Sequence, residues 1–344
     1  MDSFAARLIA WHRRHGRHDL PWQRRRDPYA IWVSEIMLQQ TQVATVIPYY
    51  QRFLEHFPDV QTLAAAPLER VLTAWSGLGY YSRARNLHRA AQAVERYHGG
   101  RFPIEFEAVH ALPGVGRSTA AAICAFAYGQ RHAILDGNVK RVLARYFGVR
   151  GYPGDKRVET DLWARADSLL PRQGIADYTQ ALMDLGAGLC TRLKPSCQSC
   201  PVGTDCVARS EGLVKTLPAP RPRKPLPRRR TVMLVLEHAG RVLLERRPEH
   251  GIWGGLWCLP ECTPEEELEA LCVRRFGAQV GYIAKLSEVA HGFTHFRLTI
   301  DPRRLTVARL LPRAMEPGLA WMPVEEAIAA ALPAPVRRIL ATLQ

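Results

Sequence analysis

Apolar residues in the first two hundred positions recur at helical spacing. Phe4, Leu8 and Trp11 form one stripe among Arg and His, which fits a folded amphipathic helix better than a transit peptide. Asp27-Pro28 supplies an N-cap and a first-turn proline, and 31–40 then runs helically toward Pro48. Further helices are predicted at about 51–57, 68–75, 83–97, 117–128, 137–147, 158–170 and 176–188, with no strand among them. After residue 230 the pattern changes. Residues 231–236 and 242–244 flank 237–241 as a hairpin, 264–276 and 324–343 read as helix, and 293–300 as strand. An all-α region therefore precedes an α+β region.

Between them, residues 218–230 hold five prolines, six basic residues and no acid. Such a stretch cannot bury a core and reads as a stiff, extended linker, which divides the chain into 1–217, 218–230 and 231–344. The whole chain has 344 residues, 47% hydrophobic and 23% charged, which excludes a disordered or fibrous class. No run approaches the ~18 apolar residues of a membrane span, and the N-terminus carries no secretory h-region. A cytoplasmic protein is expected. The net charge of +15 lies wholly in residues 1–230, while 231–344 balance 13 basic against 13 acidic residues. That asymmetry points to a polyanionic partner, nucleic acid foremost.

Four of the eight cysteines stand at Cys190, Cys197, Cys200 and Cys206, as Cys-x6-Cys-x2-Cys-x5-Cys. Disulfides do not suit a cytoplasmic protein; a structural zinc and a 4Fe-4S cluster both take four thiolates. Cys124, Cys258, Cys262 and Cys272 show no clustering. Leu112-Pro113-Gly114-Val115-Gly116 separates two helices, and its glycines allow a tight hairpin whose N–H groups can grip a phosphate. Twenty residues on comes Leu135-Asp136-Gly137-Asn138, where Asp136 can serve simply as the next N-cap.

In that order, glycine hairpin, Asp136 and the four-cysteine loop resemble the endonuclease III superfamily of helix-hairpin-helix DNA glycosylases. The resemblance implies one 4Fe-4S cluster on the four cysteines, beside a basic loop bearing Arg192 and Lys194. The block 32–43 places Glu35 in an otherwise apolar helix, where burial raises a carboxyl pKa. With Gly77-Leu78-Gly79-Tyr80-Tyr81-Ser82-Arg83 it is similar to the MutY-type adenine glycosylases, which remove adenine mispaired with 8-oxoguanine. Lyase-type relatives carry lysine in the hairpin and some others tyrosine; here Ser118 stands there. The block 251–261 looks Nudix-like, but the acids of 265–269 lack the spacing of a Nudix metal helix.

The resemblance therefore implies a monomeric base-excision enzyme acting on duplex DNA with A:8-oxoguanine or A:G mispairs and needing no membrane. It is monofunctional, with at most weak lyase activity. Glu35 would protonate adenine, Asp136 stabilise the sugar cation, and Asn138 position the sugar side. Trp22, Leu38, Val43 and Gln180 would line the adenine pocket. Gln40, Thr41, Leu78, Tyr80, Gly114, Gly116, Ser118 and Lys140 would contact DNA, and Phe293, Thr294 and His295 would read the lesion. A bifunctional glycosylase/lyase and a catalytically silent binding module are the alternatives. Ser118 and the added C-terminal domain weigh against the first, Glu35 and Asp136 against the second.

Overall fold

A computed structural model describes residues 3–24, 26–222, 225–312 and 316–344. Contacts divide the chain into two units, Met1–Ala65 with Asn86–Arg223, and Ala66–Arg85 with Lys224–Gln344. Among the described residues no helix is long and apolar enough to cross a membrane.

The first unit is helical. It comprises α1 (Phe4–His15), α2 (Pro28–Leu38), α3 (Val43–His56), α4 (Val60–Ala65), most of α6 (Ser82–His98), α7 (Phe106–His110), α8 (Arg117–Tyr128), α9 (Gly137–Tyr146), α10 (Lys156–Ser168), α11 (Ile175–Asp184) and α12 (Val207–Ser210). α5 (Leu68–Trp75) belongs to the second unit. Asp27 caps α2 as expected, its carboxylate accepting from the N–H groups of Tyr29 and Ala30. α2 is apolar on all sides, so it is buried on all sides, with Trp32 and Val33 fully enclosed. It packs against α8, whose run of buried alanines permits close approach.

The expected helix toward Pro48 is in fact two helices. α2 stops at Leu38, Gln40 takes a left-handed φ of 58°, and α3 starts at Val43 with Pro48 inside it. Proline removes one helical hydrogen bond but leaves the rest of α3 intact, held by buried Val46, Tyr50 and Phe53.

The second unit is built on a mixed sheet of β1 (Arg228–His238), β2 (Arg241–Arg246), β3 (Trp257–Cys258), β4 (Glu261–Cys262), β5 (Ala278–Lys285), β6 (Val289–Gly292), β7 (Arg297–Leu310) and β8 (Leu319–Pro323). Its spine runs β3-β2-β1-β7-β5. β1 and β7 pair in parallel, Thr231 opposite Ile300, and the other pairs are antiparallel. Alternation along β1 fills two cores. Met233 and Val235 pack with α14 (Val324–Ala329) and α15 (Ala334–Ala341); Val232, Leu234 and Leu236 pack with α13 (Leu268–Phe276).

Three sequence expectations shift here. Arg228–Arg230, read as linker, already form strand paired with Arg297–Thr299. The helix of 324–343 breaks at Pro333, and the strand of 293–300 starts only at Arg297. Residues 66–85, read with the helical region, join the second unit: Tyr81 donates to the Leu332 carbonyl at 3.0 Å, Arg85 to the Gly254 carbonyl at 2.6 Å, and Arg337 to Ser76 Oγ at 2.7 Å.

Candidate active site

Glu35 is the one charged residue of α2, and its carboxyl lies among apolar neighbours. Burial, with a smaller contribution from the Asp136 charge, pushes its pKa up to about 8. A carboxyl so placed holds its proton near neutral pH, which is what a general acid needs. Asp136 caps α9, accepting from Val139 N–H at 2.8 Å. Burial raises its pKa too, but the N–H groups of Val139 and Asn138 and the charges of Arg141 and Lys140 oppose that rise. Two interacting carboxyls thus sit in unlike environments, one apolar and one at a helix N-terminus.

Ser118 supports this arrangement. Its hydroxyl accepts from Leu135 N–H at 2.9 Å, tying the first turn of α8 to the residue before Asp136. Gly114 turns the hairpin with φ 81°, and a Cβ there would lie 2.7 Å from that of Asn86. Gly116 is the N-cap of α8. Asn138 Oδ1 accepts from Arg141, and Gly186 leaves it room, since a Cβ at 186 would meet the Asn138 Cβ at 2.7 Å. Lys140 is engaged by Glu159 at 2.6 Å.

A cavity of 250 Å³ opens between α1, α2 and α11, lined by Trp22, Ile31, Ser34, Gln180, His12 and Phe126 among others. Trp22 is buried edge-on against Tyr50, and Gln180 is held by Asp184. Leu38 and Val43 are not part of its lining. Ile31, Ser34 and Phe126 are, and α2's periodicity could have found the first two, because Ser34 lies one turn from both Ile31 and Leu38.

The four cysteines line one further cavity with Val142, Tyr146, Leu185 and Val202. All are free thiols. Burial pushes Cys200 up to about 11 and raises Cys206 as well. Among the described residues no three His, Cys, Asp or Glu side chains gather as ligands of one metal ion. The donor set still fits a thiolate-held group. Buried Arg145 donates to Cys190 Sγ at 3.3 Å, to the Thr191 carbonyl at 2.8 Å and to the Leu217 carbonyl at 2.8 Å, bringing positive charge to the sulfurs.

In the second unit a cleft of 1020 Å³ is lined by Tyr80, Arg85, Arg228, Trp253, Thr294 and His295, among others. Tyr80 is exposed and left-handed, at φ 49°. Leu78 is buried nearby. Phe293 stacks on Phe296 at 4.4 Å between ring centres, with Trp253 5.4 Å away on a left-handed backbone of φ 57°. Bulky side chains keep such φ values only where their surroundings enforce them.

Residues 33–167 match the model of the HhH-GPD superfamily of base excision DNA repair proteins, and 231–342 match the NUDIX domain. The chain is 35% identical over 338 residues to an adenine DNA glycosylase of Buchnera aphidicola subsp. Acyrthosiphon pisum, covering 98% of this chain and 96% of that protein. The chain belongs to the adenine DNA glycosylase family. The human adenine DNA glycosylase is 35% identical over 407 residues, with 100% of this chain and 74% of the human protein covered. Among solved structures, a thermostable thymine-DNA glycosylase is 32% identical with a TM-score of 0.55, covering 60% of this chain and 95% of that one. An endonuclease III structure at 21% identity and TM-score 0.52 shares the fold.

As an adenine DNA glycosylase, the protein is a base-excision-repair hydrolase of N-glycosyl bonds, with an endonuclease III-like helical domain and a Nudix-like domain. In that Nudix-like domain Arg275 pairs both oxygens of Glu245 and Arg247 pairs Glu261, so these carboxylates are already neutralised.

Proposed function

We propose that this glycosylase removes adenine mispaired with 8-oxoguanine, and with guanine, from double-stranded DNA. The observation that carries the chemistry is the Glu35 carboxyl, raised to about 8, interacting with Asp136. The target base must leave the stack to react, at a cost of a few kcal/mol. The 250 Å³ cavity receives it; such a volume suits a planar base, since a water takes about 30 Å³ of liquid. Glu35 gives its proton to N7, and the N-glycosidic bond loosens to an oxocarbenium-like sugar. Asp136 answers that cation with its charge and, at the limit, bonds to C1′ as in retaining glycosidases. Glu35, now a carboxylate, takes a proton from the attacking water. Asn138 orients the sugar side.

The hairpin of Gly114 and Gly116 holds a DNA phosphate at the start of α8. Gln40, Thr41, Leu78 and Tyr80 meet the strand opposite the adenine. Gln40 and Tyr80 both keep left-handed backbones, the kind of strain that gathers at functional sites. In the second-unit cleft Phe293, Thr294 and His295 read the lesion, while Arg85, Arg228 and Arg297 supply positive charge to the DNA backbone. Cys190, Cys197, Cys200 and Cys206 hold a 4Fe-4S cluster whose contribution is to cross-link the 190–206 loop.

With Lys140 paired to Glu159 and Ser118 committed to Leu135, no lysine in the hairpin is available for a Schiff base, so the enzyme is monofunctional. The test is base release and strand nicking on A:8-oxoguanine, A:G and thymine-glycol duplexes, with and without alkali. Release from the first two, with nicking only after alkali, is expected. Nicking at neutral pH at the rate of base release, or preference for thymine glycol, overturns the reading.

A further inference from the structure

Asp184, at the end of α11, is 5% exposed and gathers an unusual set of donors. The Arg17 backbone N–H reaches Oδ2 at 2.8 Å, and its guanidinium reaches Oδ1 through Nε at 2.8 Å and Nη2 at 2.5 Å. Gln180 Nε2 donates to Oδ1 at 2.9 Å, one helical turn away. His12, itself buried, brings Nε2 to 3.5 Å from Oδ2, and neither of its ring nitrogens has a hydrogen-bond partner.

This arrangement fixes the Gln180 side chain by chemistry rather than by packing. A carboxylate only accepts, so the amide atom facing Asp184 must be the NH2 group. Reversing the amide would set Oε1 against a carboxylate oxygen in a desolvated site, leaving both without a proton. Gln180 lines the 250 Å³ cavity, and no described residue donates to its Oε1. The cavity is therefore offered an acceptor at that point, not a donor.

We infer that Asp184 and Arg17 act as a positioning pair that locks the Gln180 amide, so that the cavity accepts a base bearing an exocyclic amino group and rejects one bearing an oxo group. Adenine, with its 6-amino group, satisfies Oε1; hypoxanthine turns an acceptor against it; unsubstituted purine leaves it unpaired. Neither Asp184 nor Arg17 touches the base. The inference rests on the reading that this cavity receives the flipped adenine.

The test compares single-turnover excision of adenine, purine and hypoxanthine, each opposite 8-oxoguanine, by the full-length parent and two variants. Asp184→Asn frees the amide to turn. Adenine excision should fall about two- to tenfold, as for one hydrogen bond lost, with purine unchanged and hypoxanthine raised relative to adenine. Equal loss on all three bases, or an unchanged adenine-to-hypoxanthine ratio, overturns the positioning role. Gln180→Met keeps Asp184 and Arg17 paired and guards against misfolding of the first variant. It should level adenine with purine. If Gln180→Met levels the bases while Asp184→Asn does not, the lock fails and the base cavity stands; if Gln180→Met leaves all three rates as they were, the cavity is not the base site.

Discussion

Ser118 and Leu135 are joined by a hydrogen bond of 2.9 Å from the Leu135 N–H to the Ser118 hydroxyl. Leu135 is buried, so no water can replace that acceptor. Ser118→Ala should destabilise the fold by about 1–3 kcal/mol, the usual cost of a buried donor left unpaired. Because the bond braces the residue before Asp136, adenine excision should slow as well, while duplex affinity holds. Thermal unfolding and single-turnover rates check both; a variant as stable as the parent shows that the bond is dispensable.

Glu35 should impose a descending limb on the pH profile. Its carboxyl is protonated below about 8, so single-turnover excision should fall as pH rises through that value. Stability should follow the same sign. The folded state binds a proton between the ordinary Glu range and about 8 that the unfolded chain does not, so stability is lost across that window as pH rises. Glu35→Gln should excise adenine at least ~10²-fold more slowly and melt above the parent at pH 8.5, the gap closing below pH 4.5. A variant that melts below the parent at pH 8.5 contradicts a buried, raised carboxyl.

Arg145 should matter more to the cysteine loop than any single surface residue of it. It bridges α9 to the carbonyls of Thr191 and Leu217 and to Cys190 Sγ. Arg145→Met removes several charge-assisted bonds worth about 1.5–3 kcal/mol each. Soluble yield and iron content should both drop. The parent, purified anaerobically, should be yellow-brown with about four irons; zinc in place of iron would reassign the loop.

In the second-unit cleft, Trp253 braces Phe293 and, at 5.7 Å, His291. Trp253→Ala should lower the preference for A:8-oxoguanine over A:G by more than Thr294→Ala does. The first loosens the whole loop, whereas the second deletes one hydrogen bond of about 0.5–1.5 kcal/mol. Competition kinetics on the two mispairs measure it. Equal ratios in both variants and the parent would remove the cleft from lesion reading.

Glu35 was legible in the sequence because a lone acid in an apolar helix has no bland place to go. Asp136 was legible as a cap, which it is, and as a catalytic group only through the order of the motifs around it. The lock on Gln180 was half visible: Asp184 lies four residues on, but Arg17 is 167 residues away and no local pattern joins them. Pro48 misled because proline usually ends a helix, and here tertiary burial carries α3 through it. The arginines of 228–230 looked like linker by charge alone. Strand pairing uses the backbone, which composition does not report.

The assignment of 66–85 to the second unit bears on how the chain is made. Val71, Leu72 and Trp75 are wholly buried, and Tyr81 and Arg85 find hydrogen-bond partners at Leu332 and Gly254. Those partners leave the ribosome well over a hundred residues later, about ten seconds or more at ~5–20 residues per second. Until then a strip of leucine, valine and tryptophan from the middle of the glycosylase region waits without its own unit. A nascent chain stalled anywhere before Lys224 would therefore expose that strip. Truncation before residue 231 would do the same, so a fragment ending there should need chaperone capture or aggregate, whatever the soundness of its catalytic carboxyls.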